Sequence, residues 1–117
     1  MYAGAKILMQ TLGVDKVDKV ILAGEFGSYI DKKSAAVLGM FPDCKNVYSV
    51  GNAAGDGTRM ALLDVDKRKE ADEFARKVEY IKLTVNPNFD KVFARSMWIP
   101  HMKDKFPNLS HILPEKK

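Results

Sequence analysis

Residues Val20 to Asp31 read VILAGEFGSYID, an apolar run that stops on Gly24, a carboxylate, an aromatic ring and Gly27. Extended backward to Val17, the run is short, β-branched and apolar except for Asp18 and Lys19. That pattern predicts a central strand, Val17–Ala23, covered on both faces. A strand that gives way to a helix through glycines puts its turn at the carboxyl end of a sheet, where open α/β sheets receive ligands. Glycine lets backbone come within contact distance of a flat or anionic ligand, because no Cβ intervenes. A tight turn that only needs positive φ fits the same two residues equally well.

The flanking segments alternate in type. Ala5, Leu8, Met9 and Leu12 recur at helix spacing over Tyr2–Leu12, and Gly13 stands where a helix stops. This helix has no capping residue before it, so the chain reads as part of a longer protein. Asp31 is set to cap a helix over Lys32–Leu38, closed by Gly39 with Pro42 beyond. A second strand is expected over Asn46–Val50. Asn52 then caps a helix over Ala53–Leu63, and Asp64 or Asp66 starts another that runs to about Val78, with Ala71, Phe74, Ala75 and Val78 as its buried stripe and Glu73–Lys77 as an exposed pair. Tyr80–Val85 alternates cleanly and predicts a third strand. Asn86 and Pro87 predict the start of a last helix, with Phe89, Val92, Phe93, Ser96 and Met97 along one side. Pro100, Pro107 and Pro114 break the remainder into an irregular tail. Strands alternating with helices make an α/β domain.

A chain of 117 residues, 46% of them apolar, suits one compact domain with a real core. The net charge of +4 comes from scattered lysines without interleaved aromatics, which argues against a nucleic-acid groove. No apolar run reaches the length of a membrane span. Cys44 is the only cysteine, so the chain can form no internal disulfide and cannot alone ligate an iron–sulfur cluster or a structural zinc. This composition reads as cytoplasmic. His101 and His111 lie in the proline-broken tail without further ligands nearby in sequence, so neither a metal site nor a catalytic residue is assigned.

A second glycine block, VGNAAGDGTRMALL, lacks the Lys-Ser/Thr ending of a P-loop, and neither block has the spacing of a dinucleotide fingerprint. Its small residues Ala53, Gly57 and Ala61 share a helical face on which another backbone could cross. Gly55 and Gly57 each cost a helix roughly 1 kcal/mol relative to alanine, so something must need the room. Asp56, a carboxylate between them, has no evident structural duty. Trp98, with Met97 and Ile99, reads either as core or as a partner-facing patch.

Taken in order, DKVILAGEFGSYIDKKSA, SVGNAAGDGTRMALL and KVEYIKLTVNPNF resemble the C-terminal part of the ATP-dependent reductive activators of corrinoid proteins, which are grouped with uncharacterised ferredoxin-like metal-binding proteins. These belong to the acetate and sugar kinase, Hsp70 and actin superfamily. The resemblance covers roughly Tyr2–His101. It implies an actin-like (ribonuclease H-like) ATPase segment over residues 1–101, followed by a proline-containing tail over 102–117. It also implies that Gly24, Glu25, Phe26 and Gly27 form the adenosine side of a nucleotide site, and that Gly55, Asp56, Gly57 and Ala61 lie on a hinge helix. Many superfamily members have adjacent glycines where this sequence has Gly-Glu-Phe-Gly. ATP with Mg and an iron–sulfur cluster are implied for the whole activator, the cluster in a separate domain, and none for this stretch alone. The implied partner is a corrinoid protein whose cob(II)alamin is returned to cob(I)alamin, with a homodimer allowed. A docking or dimerisation module, and a lobe of a sugar or acid kinase, remain as alternatives.

Overall fold

The computed structural model describes residues 1–99 and 101–112; Pro100 and Pro114, expected to break the tail, lie outside them. In chain order the elements are α1 (Tyr2–Leu12), β1 (Val20–Leu22), α2 (Gly24–Tyr29), α3 (Lys32–Val37), β2 (Val47–Ser49), α4 (Ala53–Leu63), α5 (Val65–Lys77), a 3-10 turn (Leu83–Val85), α6 (Phe89–Ser96) and a second 3-10 turn (Pro107–Leu109). β1 and β2 pair as a two-stranded sheet. Val20 N–H donates to Asn46 O at 2.9 Å and Val50 N–H to Leu22 O at 3.0 Å, the slanted pattern of parallel strands. The connection that parallel pairing demands is supplied by α2 and α3.

The chain forms two compact units where its length suggested one. The first comprises Met1–Ile21, Ile30–Tyr48 and the described residues from Lys82 on; the second comprises Leu22–Tyr29 and Ser49–Ile81.

In the first unit α1 packs against α6. Its buried side is Tyr2, Ala3, Ile7 and Met9; of the residues expected at helix spacing, Met9 is buried and Ala5 half-buried, whereas Leu8 and Leu12 are exposed. The difference comes from distant partners. The Tyr2 ring lies 5.7 Å from Phe106 and 5.0 Å from His101, and Leu109 with the half-buried Ala36 completes the cluster. The proline-containing segment thus supplies three buried side chains, His101, Phe106 and Leu109. Ile7 is 1% exposed, a burial that contributes about 1.5–3 kcal/mol. Local stops fall where expected. Gly13 (φ 67°) and Gly39 (φ 65°) take the left-handed conformation, and the next residues, Val14 and Met40, donate back to Met9 O and Ala35 O. Asp31 caps α3 by accepting from Ser34 N–H at 2.8 Å, and the Ser34 side chain, then that backbone bond, hold its carboxyl below the usual carboxylate range.

Tyr80–Val85 is not a strand. The two-stranded sheet gives it no ladder, and Leu83 instead closes a 3-10 turn, its Cδ1 3.2 Å from where a Cβ on Gly4 would stand. Helix α6 starts at Phe89, two residues later than Pro87 suggested, because Asn86 spends its side chain on an Asn88 N–H turn.

The second unit is built on caps. Asn52 caps α4 through Gly55 N–H at 3.0 Å. Asp64 joins α4 to α5, its own N–H donating to Met60 O and its carboxylate accepting from Asp66 and Lys67 N–H. Arg68 Nε donates to Ala61 O at 3.1 Å, tying the helices together. Ion pairs on α5 are Lys67–Glu70, Lys69–Asp66 and Arg76–Asp72. The anticipated stripe of Ala71, Phe74, Ala75 and Val78 is exposed, as are Met60, Leu62 and Leu63. Burial of an amphipathic face requires a partner element, and although α4 contacts α5, nothing among the described residues covers this face. The same holds for β1, which is not covered on both faces: Ile21 is 52% exposed because two strands leave its flanks open.

Candidate functional site

Both strands end on a glycine in the left-handed region, Gly24 (φ 88°) after β1 and Gly51 (φ 65°) after β2. L residues with a Cβ are disfavoured there by about 1–2 kcal/mol. The two glycines are bonded to each other, Gly24 N–H donating to Gly51 O at 2.7 Å, and Ala53 N–H also reaches that carbonyl at 2.9 Å. A Cβ on Gly24 would meet nothing within 4 Å, so the corner is open there, and on Gly51 it would meet only Ser28 Oγ at 4.0 Å. The expected glycine turn is therefore a corner of two glycines, one from each block, at the carboxyl ends of two parallel strands.

Gly24 to Tyr29 is already helical. Gly27 is buried, and a Cβ there would lie 3.0 Å from Leu22 C and 3.1 Å from Leu22 Cβ. Its missing side chain seats α2 on the end of β1. Ser28 Oγ donates to Gly24 O at 3.0 Å, and Ser49 Oγ donates to Gly27 O. Glu25 is exposed and Phe26 is 67% exposed. The structure thus brings Gly24 and Gly27 to one corner and leaves Glu25 and Phe26 on its solvent side.

The hinge candidates separate. Gly55 is small for the sake of the cap: a Cβ there would stand 2.6 Å from Asn52 Nδ2. Gly57 meets nothing within 4 Å, so the close neighbour expected for it is not in the described chain. Asp56 sits in the first turn of α4, where a carboxylate suits the helix dipole, with Arg59 Nη1 at 3.9 Å. Ala61 is half-buried. Sequence reasoning missed Gly51 and Ser49. The available signal was that Val47–Val50 runs into Gly-Asn directly before a cap, the same strand-then-glycine pattern as at Gly24.

The first unit holds a separate cleft of about 520 Å³ lined by Tyr2, Lys6, Asp43, Cys44, Asp104 and Lys105 among others. Its charges are largely satisfied internally. Asp104 Oδ2 accepts from the Tyr2 hydroxyl and lies 3.1 Å from Lys6 Nζ. Burial, and then the Asp104 carboxylate, push the Tyr2 hydroxyl well above its ordinary value. Burial works against ionisation of Asp104, yet the Tyr2 and Lys6 contacts hold its carboxyl below the usual range. Asp43 accepts from Asn108 N and Nδ2, and the Cys44 thiol donates to the Val17 and Asn46 carbonyls. His101 Nδ1 accepts from Lys103 and Asp104 N–H, which orders the tail. Among the described residues no three His, Cys, Asp or Glu side chains converge. The donors among the described residues do not make a self-contained site for a magnesium ion or an iron–sulfur cluster. No helix among the described residues is long and apolar enough to cross a membrane.

Two comparisons bear on this geometry. The family model described as the C-terminal domain of RACo, the ASKHA domain, matches residues 1–110. The chain is also similar to the corrinoid activation enzyme RamQ of Eubacterium limosum, 29% identical over 97 residues. That alignment covers 80% of this chain and 16% of RamQ, so the chain spans a small part of that relative's length. With its paired parallel strands and glycine corner, this α/β chain belongs to the family of RACo C-terminal domains, whose fold is the actin-like ASKHA domain.

Proposed function

We propose that the chain supplies the adenosine side of a nucleotide site in an ATP-dependent activator that returns cob(II)alamin on a partner corrinoid protein to cob(I)alamin. The observation that carries this reading is the open Gly24–Gly51 corner at the carboxyl ends of β1 and β2. The family and the similarity to a corrinoid activation enzyme support the activator over a sugar or acid kinase lobe.

In this reading the adenine and ribose lie against the bare backbone of Gly24 and Gly51, and Phe26 walls the opening. Glu25 is the carboxylate within reach of a ribose hydroxyl. Gly27 keeps α2 down on β1 so that the corner stays shallow. Nucleotide closure then supplies the work that makes reduction of Co(II) by one electron accessible, with ATP leaving as ADP and phosphate. The electron donor, the phosphate-binding groups, magnesium and any iron–sulfur cluster belong to other parts of the full-length gene product, and no step here runs through them. The setting is cytoplasmic, the partner a corrinoid protein, and the exposed Met97, Trp98 and Ile99 favour a protein contact, a homodimer included.

Charge-assisted bonds to the phosphates carry most of the affinity of such sites. The 117-residue chain alone should therefore bind ATP no tighter than about 1 mM. The full-length gene product should bind far more tightly and reduce corrinoid-bound cob(II)alamin only with ATP, followed by the visible absorbance of cob(I)alamin. Micromolar binding by this chain alone, or ATP-independent reduction, would overturn the reading.

A further inference from the structure

Gly27 is the only buried residue of the second unit among the described residues, and its carbonyl is taken up by a side chain from a different element. Helix α2 has six residues and ends at Tyr29, so Gly27 C=O is one of the last four carbonyls and has no helical N–H to accept from. A helix this short does not hold its own orientation. Two ties to the segment around β2 do so instead: Gly24 N–H to Gly51 O at the first turn, and the Ser49 hydroxyl to Gly27 O further along. The first tie is made at the corner itself. The second acts at a distance from it, through the axis of α2.

We propose that Ser49 is a positioning residue for the nucleotide corner: by donating to Gly27 O it fixes the tilt of α2 and hence the direction in which the bare backbone of Gly24 faces beside the bonded Gly51. This rests on the nucleotide reading above. Ser49 touches no nucleotide itself. Its side chain is solvent-accessible, so alanine and threonine both fit, and threonine keeps the hydroxyl in a strand position that suits a β-branched residue.

The test uses the full-length gene product carrying Ser49→Ala, Ser49→Thr or Gly24→Val, titrated calorimetrically with ATP and with inorganic tripolyphosphate, alongside thermal melts. Ser49→Ala should weaken ATP about tenfold, the effect of one lost hydrogen bond. It should leave tripolyphosphate binding unchanged, and Ser49→Thr should restore ATP affinity. A merely structural role would weaken both ligands together or neither, and either result overturns the proposal. If Gly24→Val loses ATP while Ser49→Ala keeps it, Ser49 has no positioning role and the nucleotide reading stands. If neither variant changes ATP affinity, the nucleotide reading fails as well.

Discussion

Gly27 and Gly57 are both helical glycines, and their surroundings predict opposite responses to one added methyl group. At Gly27 the new Cβ would stand 3.0 Å from the carbonyl carbon of Leu22, 3.1 Å from its Cβ and 3.3 Å from its oxygen. Two of these are backbone atoms of β1 and cannot swing aside as a side-chain tip would. Overpacking of this kind costs roughly 1–3 kcal/mol, and the gain in helix propensity offsets about 1 of it. Gly27→Ala should therefore destabilise by about 1 kcal/mol net. At Gly57 nothing lies within 4 Å, so Gly57→Ala collects the propensity gain alone and stabilises by about 1 kcal/mol. The two variants should differ by about 2 kcal/mol, a gap of roughly 8 °C in Tm at this chain length. Thermal melts of the 117-residue chain followed by ellipticity at 222 nm measure it. Equal melting of the two, or a lower Tm for Gly57→Ala than for the parent, would refute the argument. The second outcome would also restore the close crossing at Gly57 that this chain lacks.

The remaining predictions concern caps and charge. Asp64→Ala removes the acceptor for Asp66 and Lys67 N–H at the junction of α4 and α5 and should cost about 0.5–2 kcal/mol, while Asp64→Asn keeps most of the stability in urea titrations. Asp104 has its folded pKa depressed, so the stability it contributes is present above the ordinary carboxylate pKa and is lost as pH falls through the folded value. Tyr2 has its folded pKa raised, so its contribution is present below the ordinary tyrosine value near 10 and fades as pH rises beyond it. Denaturant midpoints across the pH range should fall at both ends; Asp104→Asn should flatten the acid limb and Tyr2→Phe the alkaline limb, and unchanged limbs would discard the Tyr2–Asp104–Lys6 network as a source of stability.

What could be read from the sequence was what depends on residues near in sequence. Asp31, Asn52 and Asp64 cap helices because an oxygen two or three residues ahead of orphan N–H groups needs no distant partner. Gly13 and Gly39 stop helices for an equally local reason. Buried faces were not legible, because burial is decided by what packs from elsewhere. The α1 face turned toward Tyr2, Ala3 and Ile7 since Phe106 and Leu109, far along the chain, supply the cover. Phe74 and Val78 have the spacing of a buried stripe and no cover. At the candidate site, Gly24 and Gly27 announced themselves as glycines at a strand end. Gly51 and Ser49 matter only through bonds to the other block, which no spacing rule in a single segment can show.

The glycine corner belongs to the unit with the least burial, and this has a dynamic consequence. The first unit hides a ring cluster and the fully buried Ile7, so opening it exposes apolar surface. The second has Gly27 as its one buried residue among those described, and its order rests on the Gly24–Gly51 bond, the Ser49–Gly27 bond and the Asn52 and Asp64 caps. Each such bond contributes only about 0.5–1.5 kcal/mol net. A unit held this way opens locally well below the global unfolding free energy. Amide hydrogen exchange of the 117-residue chain should accordingly show slow amides in α1 and fast ones through α4 and α5. Uniform protection across both sets would mean the hydrogen bonds of the second unit are reinforced by burial beyond that of Gly27. A ligand that binds only the ordered corner adds stability as RT ln(1 + [L]/Kd), about 2.7 kcal/mol at a hundredfold excess over Kd. That is comparable to the sum of two or three of those bonds. In the full-length gene product, nucleotide should therefore slow exchange at Gly24, Gly27 and Gly51 far more than in α1. An ATP effect spread evenly over both units would mean that the corner is not where the ligand acts.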